Sequence, residues 1–487
     1  MKRTAQLAKL YLVIVAIAGL IYYVLHLGNQ LPPPVAVTPA TAGMTAHAAL
    51  PHSTSFIGSI ASVLADNGSS PLSKLVLQLI IIIVAASVAG SIFTRLGQPA
   101  VVGEMVAGIL LGPSLFGLLA PNAFQFVFAT PTLGALKLFS QIGVCLFLFV
   151  VGMEMDVSHL RKKAEAAVVV SHASIVVPYF LGVILALSLY SHLGQPGVSF
   201  VAFALFMGIS TSITAFPVLV RILQDRGIFK TPLGSTATTC AAVDDVTAWS
   251  ILAFVVAIAG ASSSGGAVAS VILVLAFVAF MLLVIKPGLP RWIGRQALER
   301  PNPSKATLAI VITVALVSAW ITELIGIHAL FGAFLAGIVI PQLAGFRNKL
   351  VVRVESITTV LLLPLFFAFT GLRTHIGLLN NSQDMLICLV IIIVATAGKL
   401  GGSAVAARLT GLPWRESLQL GALMNTRGLM ELIALNIGYD MGILSQRIFT
   451  MLVIMALVTT IMTGPLLSLL AGEEEAEESL DPLLSRG

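Results

Sequence analysis

Apolar runs of about twenty residues, separated by short polar stretches, recur from residue 10 almost to the end of the chain. That length and recurrence predict helices that cross a bilayer, and the ten-residue alternating segments of a membrane β-barrel are absent. The first run covers about 10–27. Thirteen more spans follow a linker, at about 73–94, 99–119, 133–155, 165–190, 198–222, 234–260, 266–285, 305–322, 327–341, 355–378, 384–408, 415–437 and 445–470. The expected fold is an all-α polytopic membrane protein with thirteen core helices and one additional N-terminal hydrophobic segment.

Two of these spans are interrupted by polar, helix-weakening clusters at mid-membrane depth. Span 5 contains Gly208-Ile-Ser-Thr-Ser-Ile-Thr-Ala-Phe-Pro217, and span 12 contains Gly421-Ala-Leu-Met-Asn-Thr-Arg-Gly428. Seven spans separate them, an odd number, so they cross the membrane in opposite directions. That pattern predicts an inverted repeat with two discontinuous helices meeting at the midplane. Broken backbone at that depth needs protein or a water-filled cavity to satisfy it.

Composition settles the solvent. With 57% hydrophobic and 10% charged residues, a chain of 487 residues lacks the polar surface that water requires. The net charge of +6 is then a topology signal and does not point to nucleic acid. With the N-terminus inside, the inner loops hold Arg95, Arg161, Lys162, Lys163, Arg221, Arg226, Lys230, Lys286, Arg291, Arg295, Arg300, Lys305, Arg347, Lys349, Arg353, Arg408 and Arg415. The outer side holds only Lys74, Lys137, Arg373 and Arg447. Residues 1–30 are expected to form a signal anchor or signal peptide, 31–72 a Pro/Ala/Thr-rich periplasmic linker, 73–470 the transmembrane domain, and 471–487 a short acidic cytoplasmic tail. Cys145, Cys240 and Cys388 all fall in apolar runs, and the histidines form no HExxH or clustered set. No disulfide framework, resident metal or cofactor is expected, and no nucleophile–base pair suggests an enzyme.

The chemistry gathers around Asp244 and Asp245, side by side in an apolar span. An ionised aspartate at the centre of a membrane helix costs roughly 2.5–3.5 kcal/mol even on the lenient insertion scale. Consecutive helical residues point about 100° apart, so the two carboxylates have two roles. Lys399, the lysine deep in a span, lies among small residues that allow close helix approach. One aspartate paired with Lys399 and the other facing a cavity is the simplest neutralising arrangement. A partly desolvated carboxylate can hold a proton until a cation with further oxygen ligands displaces it. Thr211, Ser212 and Thr214, with Asn425 and Thr426 at the second break, are candidates to line such a site. Arg427 and Glu431, four residues apart, are expected to hold the broken helix together. Glu104 is a polar partner between helices or an ion-path residue. A site that takes a proton or a cation, but not both, is an antiporter. The alternatives are a cation channel or gated K⁺ efflux protein, and a proton-coupled solute carrier.

Five segments in order, Gly97–Pro113, Thr211–Leu219, Ala241–Trp249, Ile327–Gly337 and Asn425–Leu432, resemble the second monovalent cation:proton antiporter family, especially the plant-type cation/proton exchangers and their bacterial relatives. The resemblance implies an inverted-repeat Na⁺/H⁺ antiporter-like fold. It implies scaffold helices at about 73–155 and 305–378 that dimerise, and core helices at about 165–260 and 384–470 that shift against them. It also implies that Asp245 carries Na⁺ or K⁺ in exchange for H⁺ and that Asp244 pairs with Lys399. A bacterial inner membrane, a homodimer and a cytoplasmic C-terminus are the corresponding expectations. Neither the nucleotide-binding module of the glutathione-gated potassium-efflux proteins nor the long tail of the plant exchangers is found in the sequence, so regulation by either is not expected.

Overall fold

The computed structural model describes residues 16–27, 63, 67–68, 70–154, 164–260, 264–294, 298–299, 303–341 and 345–470. The acidic tail, most of the linker and the run Arg161 to Lys163 lie outside the described residues. Among the described residues the structure is helical, with no sheet and only an isolated bridge between Gly194 and Leu444.

A short helix, α1 (Ala16–Leu27), precedes the linker. The longer helices that follow it are α2 (Pro71–Arg95), α3 (Ala100–Leu111), α4 (Thr130–Glu154) and α5 (Ala164–Leu193). Then come α6 (Phe200–Ser212), α7 (Phe216–Asp225), α8 (Pro232–Ala259), α9 (Ser264–Phe280), α10 (Lys305–Ile325) and α11 (Ala329–Val339). The last third holds α12 (Phe346–Ile357), α13 (Leu363–Arg373), α14 (Ser382–Thr396), α15 (Gly402–Leu409), α16 (Trp414–Met424), α17 (Leu429–Asp440) and α18 (Gln446–Leu470). Several starts are written locally. Ser70, Ser199, Thr231 and Ser304 accept the N–H of Ser73, Ala202, Gly234 and Thr307, capping α2, α6, α8 and α10.

By length and composition, eleven stretches among the described residues qualify as candidate spans, and two of the thirteen expected spans fall outside that set. The difference has two physical causes. Residues 327–341 yield only the eleven-residue α11, about 16 Å long and too short to span alone. Residues 415–437 fall on α16 and α17, each about half a span, because the chain breaks between them.

α2 shows how the pattern places a helix. Leu72, Val76, Ile80, Val84, Val88 and Ile92 recur every fourth residue and are exposed, while Gln78, Ile82, Ala86 and Gly90 are buried. One stripe faces lipid and the other faces protein.

Two packing groups are visible. α3 packs on α13 and α4 on α11, whereas α5 packs on α6, α8 and α15. Within the first group small residues let backbones touch. A Cβ on Gly337 would lie 2.2 Å from the Phe149 carbonyl oxygen, and one on Gly152 would lie 2.2 Å from that of Phe334. Gly337→Ala is therefore expected to cost about 1–3 kcal/mol by forcing α4 and α11 apart, read as a lower melting temperature in detergent. Gly332 likewise meets the Ser318 carbonyl and Gly402 meets Val177, whereas Gly401 faces open space.

Candidate cation and proton site

Both mid-membrane clusters break their helices. α6 stops at Ser212, the chain runs extended through Ile213, and α7 begins at Phe216 with Pro217 in its first turn, where a missing N–H costs nothing. The second break ends at Gly428, whose φ of 150° with ψ of −130° is a conformation suited to glycine, and α17 starts at the next residue. The breaks meet. Ala215 N–H donates to the Thr426 carbonyl at 3.0 Å, and the Thr214 hydroxyl reaches that of Met424 at 3.2 Å.

A helix end leaves its last four carbonyls without internal donors. At the end of α6 all four are accounted for. The Ser212 hydroxyl donates to Ile209 O (3.0 Å), and Arg427 donates to Ser210 O (3.0 Å) and Thr211 O (2.6 Å). Lys399 Nζ donates to Ser212 O. Two buried cations thus cap the negative end of a half-helix, where the macrodipole favours positive charge. Arg427 also lies 3.3 Å from Glu431.

Lys399 sits in a π-helical turn, Ala397–Gly401, between α14 and α15. Such one-turn bulges are frequent at functional sites. Its ammonium is 3.0 Å from Asp244 Oδ2 and donates at 3.0 Å to the Ser174 carbonyl. That carbonyl is free for a covalent reason. Its usual partner four residues on is Pro178, which has no N–H. Asp244 also accepts from Ser171 (2.7 Å), Ser174 (2.7 Å) and Thr214 (2.5 Å). Ser171, Ser174 and Pro178 escaped the sequence reading. The available signal was Ser171-His-Ala-Ser-Ile-Val-Val-Pro178, hydroxyls one turn apart with a proline one turn further.

Asp245 is the opposite case. It is buried and lies against the backbone N–H of Phe216 at the positive end of α7, yet neither carboxylate oxygen completes a hydrogen bond among the described residues. The other expected residues divide. Thr211 and Ser212 commit their hydroxyl protons to backbone carbonyls, Thr214 binds Asp244, and Thr426 reaches Thr463 at 3.4 Å. Asn425 is buried with both amide atoms unpartnered. Glu104 lies on α3 beside Gly90 of α2. In this cluster three buried acids, Asp244, Asp245 and Glu431, accompany two buried bases, Lys399 and Arg427. With all five ionised the cluster carries one net negative charge, which a single proton or monovalent cation would cancel.

The sodium/hydrogen exchanger transmembrane family matches residues 80–471. The Na⁺/H⁺ antiporter NhaS4 of Synechocystis is 41% identical, with 82% of this chain and 97% of that protein covered. Cation/H⁺ antiporter 17 of Arabidopsis thaliana is 38% identical, covering 82% of this chain and 49% of its own. K⁺/H⁺ antiporter 1 of Saccharomyces cerevisiae is 34% identical, covering 83% and 47%. This chain therefore spans about half the length of the plant and yeast relatives. Among solved structures, the sodium proton antiporter MjNhaP1 of Methanocaldococcus jannaschii superposes with a TM-score of 0.58 at 14% identity, covering 80% of this chain and 98% of that one. At that identity the match concerns the fold.

Proposed function

Because the chain belongs to the sodium/hydrogen exchanger family, we propose that it exchanges a monovalent cation, Na⁺ or K⁺, for protons across a membrane, with Asp245 holding each in turn. The observation that carries this assignment of roles is the asymmetry of the aspartate pair. Asp244 is saturated by Lys399 and three hydroxyls, while both oxygens of Asp245 are free of partners. A buried carboxylate without partners is costly unless something binds it. A proton cancels the charge directly. A cation needs further oxygens, and the buried Asn425 amide at the facing break, which has no hydrogen-bond partner among the described residues, is the candidate side chain to add one. Since the cluster is neutralised by one positive charge, occupancy by proton and by cation exclude each other.

In everted vesicles that are acidified inside, adding Na⁺, K⁺ or Li⁺ in turn is expected to dequench an entrapped pH dye, with and without a clamped membrane potential. A channel would pass the cation with no counter-flow of protons, and that result would overturn the exchange.

The same proposal takes the two packing groups as a scaffold (about 73–155 and 305–378) and a moving core (about 165–260 and 384–470), in a homodimer of a bacterial inner membrane with a cytoplasmic C-terminus. A polar clasp supports the division. At the end where the scaffold's α13 meets the core's α17, Asp440 binds Arg373 at 2.6 Å and Lys137 at 3.0 Å. Arg373 reaches Asn436 at 2.8 Å and stacks on Phe369 and Tyr439, and Asn436 donates to Thr370 at 2.8 Å. On the opposite side Gln98 reaches the Ile461 carbonyl at 3.3 Å. Such contacts would close the outer face in this state and part when the core shifts. Cysteines placed at Thr370 and Asn436 are accordingly expected to stop exchange when oxidised and restore it on reduction. Exchange that survives the crosslink would rule out relative movement at this seam.

A further inference from the structure

The two aspartates are adjacent in sequence and share one buried environment, yet one is saturated and the other bare. What separates them is α5. Among the described residues, Ser171 Oγ is the sole hydrogen-bond donor to Asp244 Oδ1. The other oxygen, Oδ2, is shared by Ser174, Thr214 and Lys399. Ser174 also receives Lys399 at 3.3 Å through its hydroxyl and at 3.0 Å through its carbonyl, so it holds both members of the ion pair. All these atoms belong to side chains or backbone with no solvent exposure, where a hydrogen bond is strong and an orphaned acceptor is costly. The helix is clamped in place. Pro178 frees the Ser174 carbonyl, and Gly182 lets α6 approach so closely that a Cβ there would lie 2.4 Å from Thr211 Oγ1. Gly398 and Gly402 admit α5 on the other side, against Pro178 and Val177.

We propose that Ser171 and Ser174 are positioning residues that set cation selectivity by keeping Asp244 out of the cation's coordination sphere. This rests on Asp245 being the carrier. With Asp244 saturated, the transported ion meets one carboxylate and otherwise neutral oxygens. Removal of the Ser171 hydroxyl leaves Oδ1 without a donor and available as a second anionic ligand. Selectivity among monovalent ions follows the number and field strength of the ligands. A second carboxylate strengthens the field, which favours the smaller, more tightly hydrated ions over the larger ones. Wild-type selectivity is then a consequence of hydroxyls that never touch the ion.

The test is a set of apparent KM values for Li⁺, Na⁺ and K⁺, each measured on the same vesicle preparation of the full-length protein. Their ratios cancel differences in expression and in the fraction folded. Ser171→Ala is expected to lower the KM of Li⁺ and Na⁺ relative to K⁺ by about threefold or more, a change of binding preference well above measurement scatter. Turnover of the small ions should fall as they are held longer. Ser174→Ala should shift the ratio in the same direction, and Ser171→Thr, which keeps the hydroxyl, should restore wild-type ratios. Where the alanine variant does not accumulate in the membrane, Ser171→Cys keeps the volume with a weak donor and carries the same comparison. Unchanged ratios in an active Ser171→Ala or Ser171→Cys protein would overturn the proposal, as would an equal shift in Ser171→Thr. A loss of the carrier assignment shows up separately, as exchange that persists in Asp245→Asn.

Discussion

Asp245→Asn is expected to abolish cation-driven proton movement in everted vesicles while the protein still inserts in normal amount. The substitution keeps shape and volume and removes one negative charge. Asp244 and Glu431 then balance Lys399 and Arg427, so the cluster is neutral when empty and has no electrostatic reason to take up a proton or a cation. The loss should be about a hundredfold or more, since charge compensation in a buried site is worth several kcal/mol. Stability should move the other way. Neither Asp245 oxygen has a partner to lose, and an uncompensated buried charge disappears, so the melting temperature should hold or rise. Function and stability thus separate at this residue. Exchange above a tenth of wild type would remove Asp245 as the carrier.

Lys399→Ala is expected to do the reverse at the neighbouring carboxylate. Its ammonium serves Asp244, the Ser174 carbonyl and the Ser212 carbonyl, all buried. Breaking a buried pair by removing one partner typically costs about 3–5 kcal/mol, because the remaining charge has no counter-ion. A clear fall in melting temperature and in membrane accumulation should follow. The double variant Lys399→Met with Asp244→Asn removes both charges and should recover much of that loss, a coupling that a mutant cycle measures directly. If Lys399→Ala alone is as stable as wild type, the ion pair contributes nothing and its bond to Asp244 has been misassigned. The two experiments also check one another. Adjacent residues of one helix should respond oppositely, one losing transport without stability and the other losing stability first.

The chain's own pattern carried a great deal of this. Runs such as Leu75 to Thr94 stay uncharged and largely apolar for the roughly twenty residues a span needs, and the helical membrane fold followed from counting them. The two breaks were legible because Pro217 and Gly428 act locally: one lacks an N–H, and the other adopts a backbone conformation suited to glycine. One helix is shorter than the apolar run that predicts it. Residues 327–341 are apolar apart from His328, but only Ala329–Val339 is helical, because the Gly326–Ile327–His328 turn holds the start in other conformations. Ser171 and Ser174 carry only a weak cue, their spacing ahead of Pro178, since a serine in a membrane helix normally bonds its own backbone carbonyl. Ser188 and Ser250 do just that.

The sequence by itself determined that this protein is made of membrane helices, that two are broken at mid-depth, and that acids and a lysine lie among them, because each of those properties is local or additive along the chain. It also determined the family, through motifs in fixed order. Only the tertiary structure decided how the partners are shared. Asp244 and Asp245 have the same chemistry and almost the same address. Which one receives the hydroxyls of α5 and the ammonium from the π-helical turn depends on how helices more than sixty residues apart pack. Hydrogen bonding acts over about 3 Å, and no spacing in a sequence specifies a distance of that size between segments so remote. The saturated Asp244 and the unpartnered Asp245 are therefore properties of the fold.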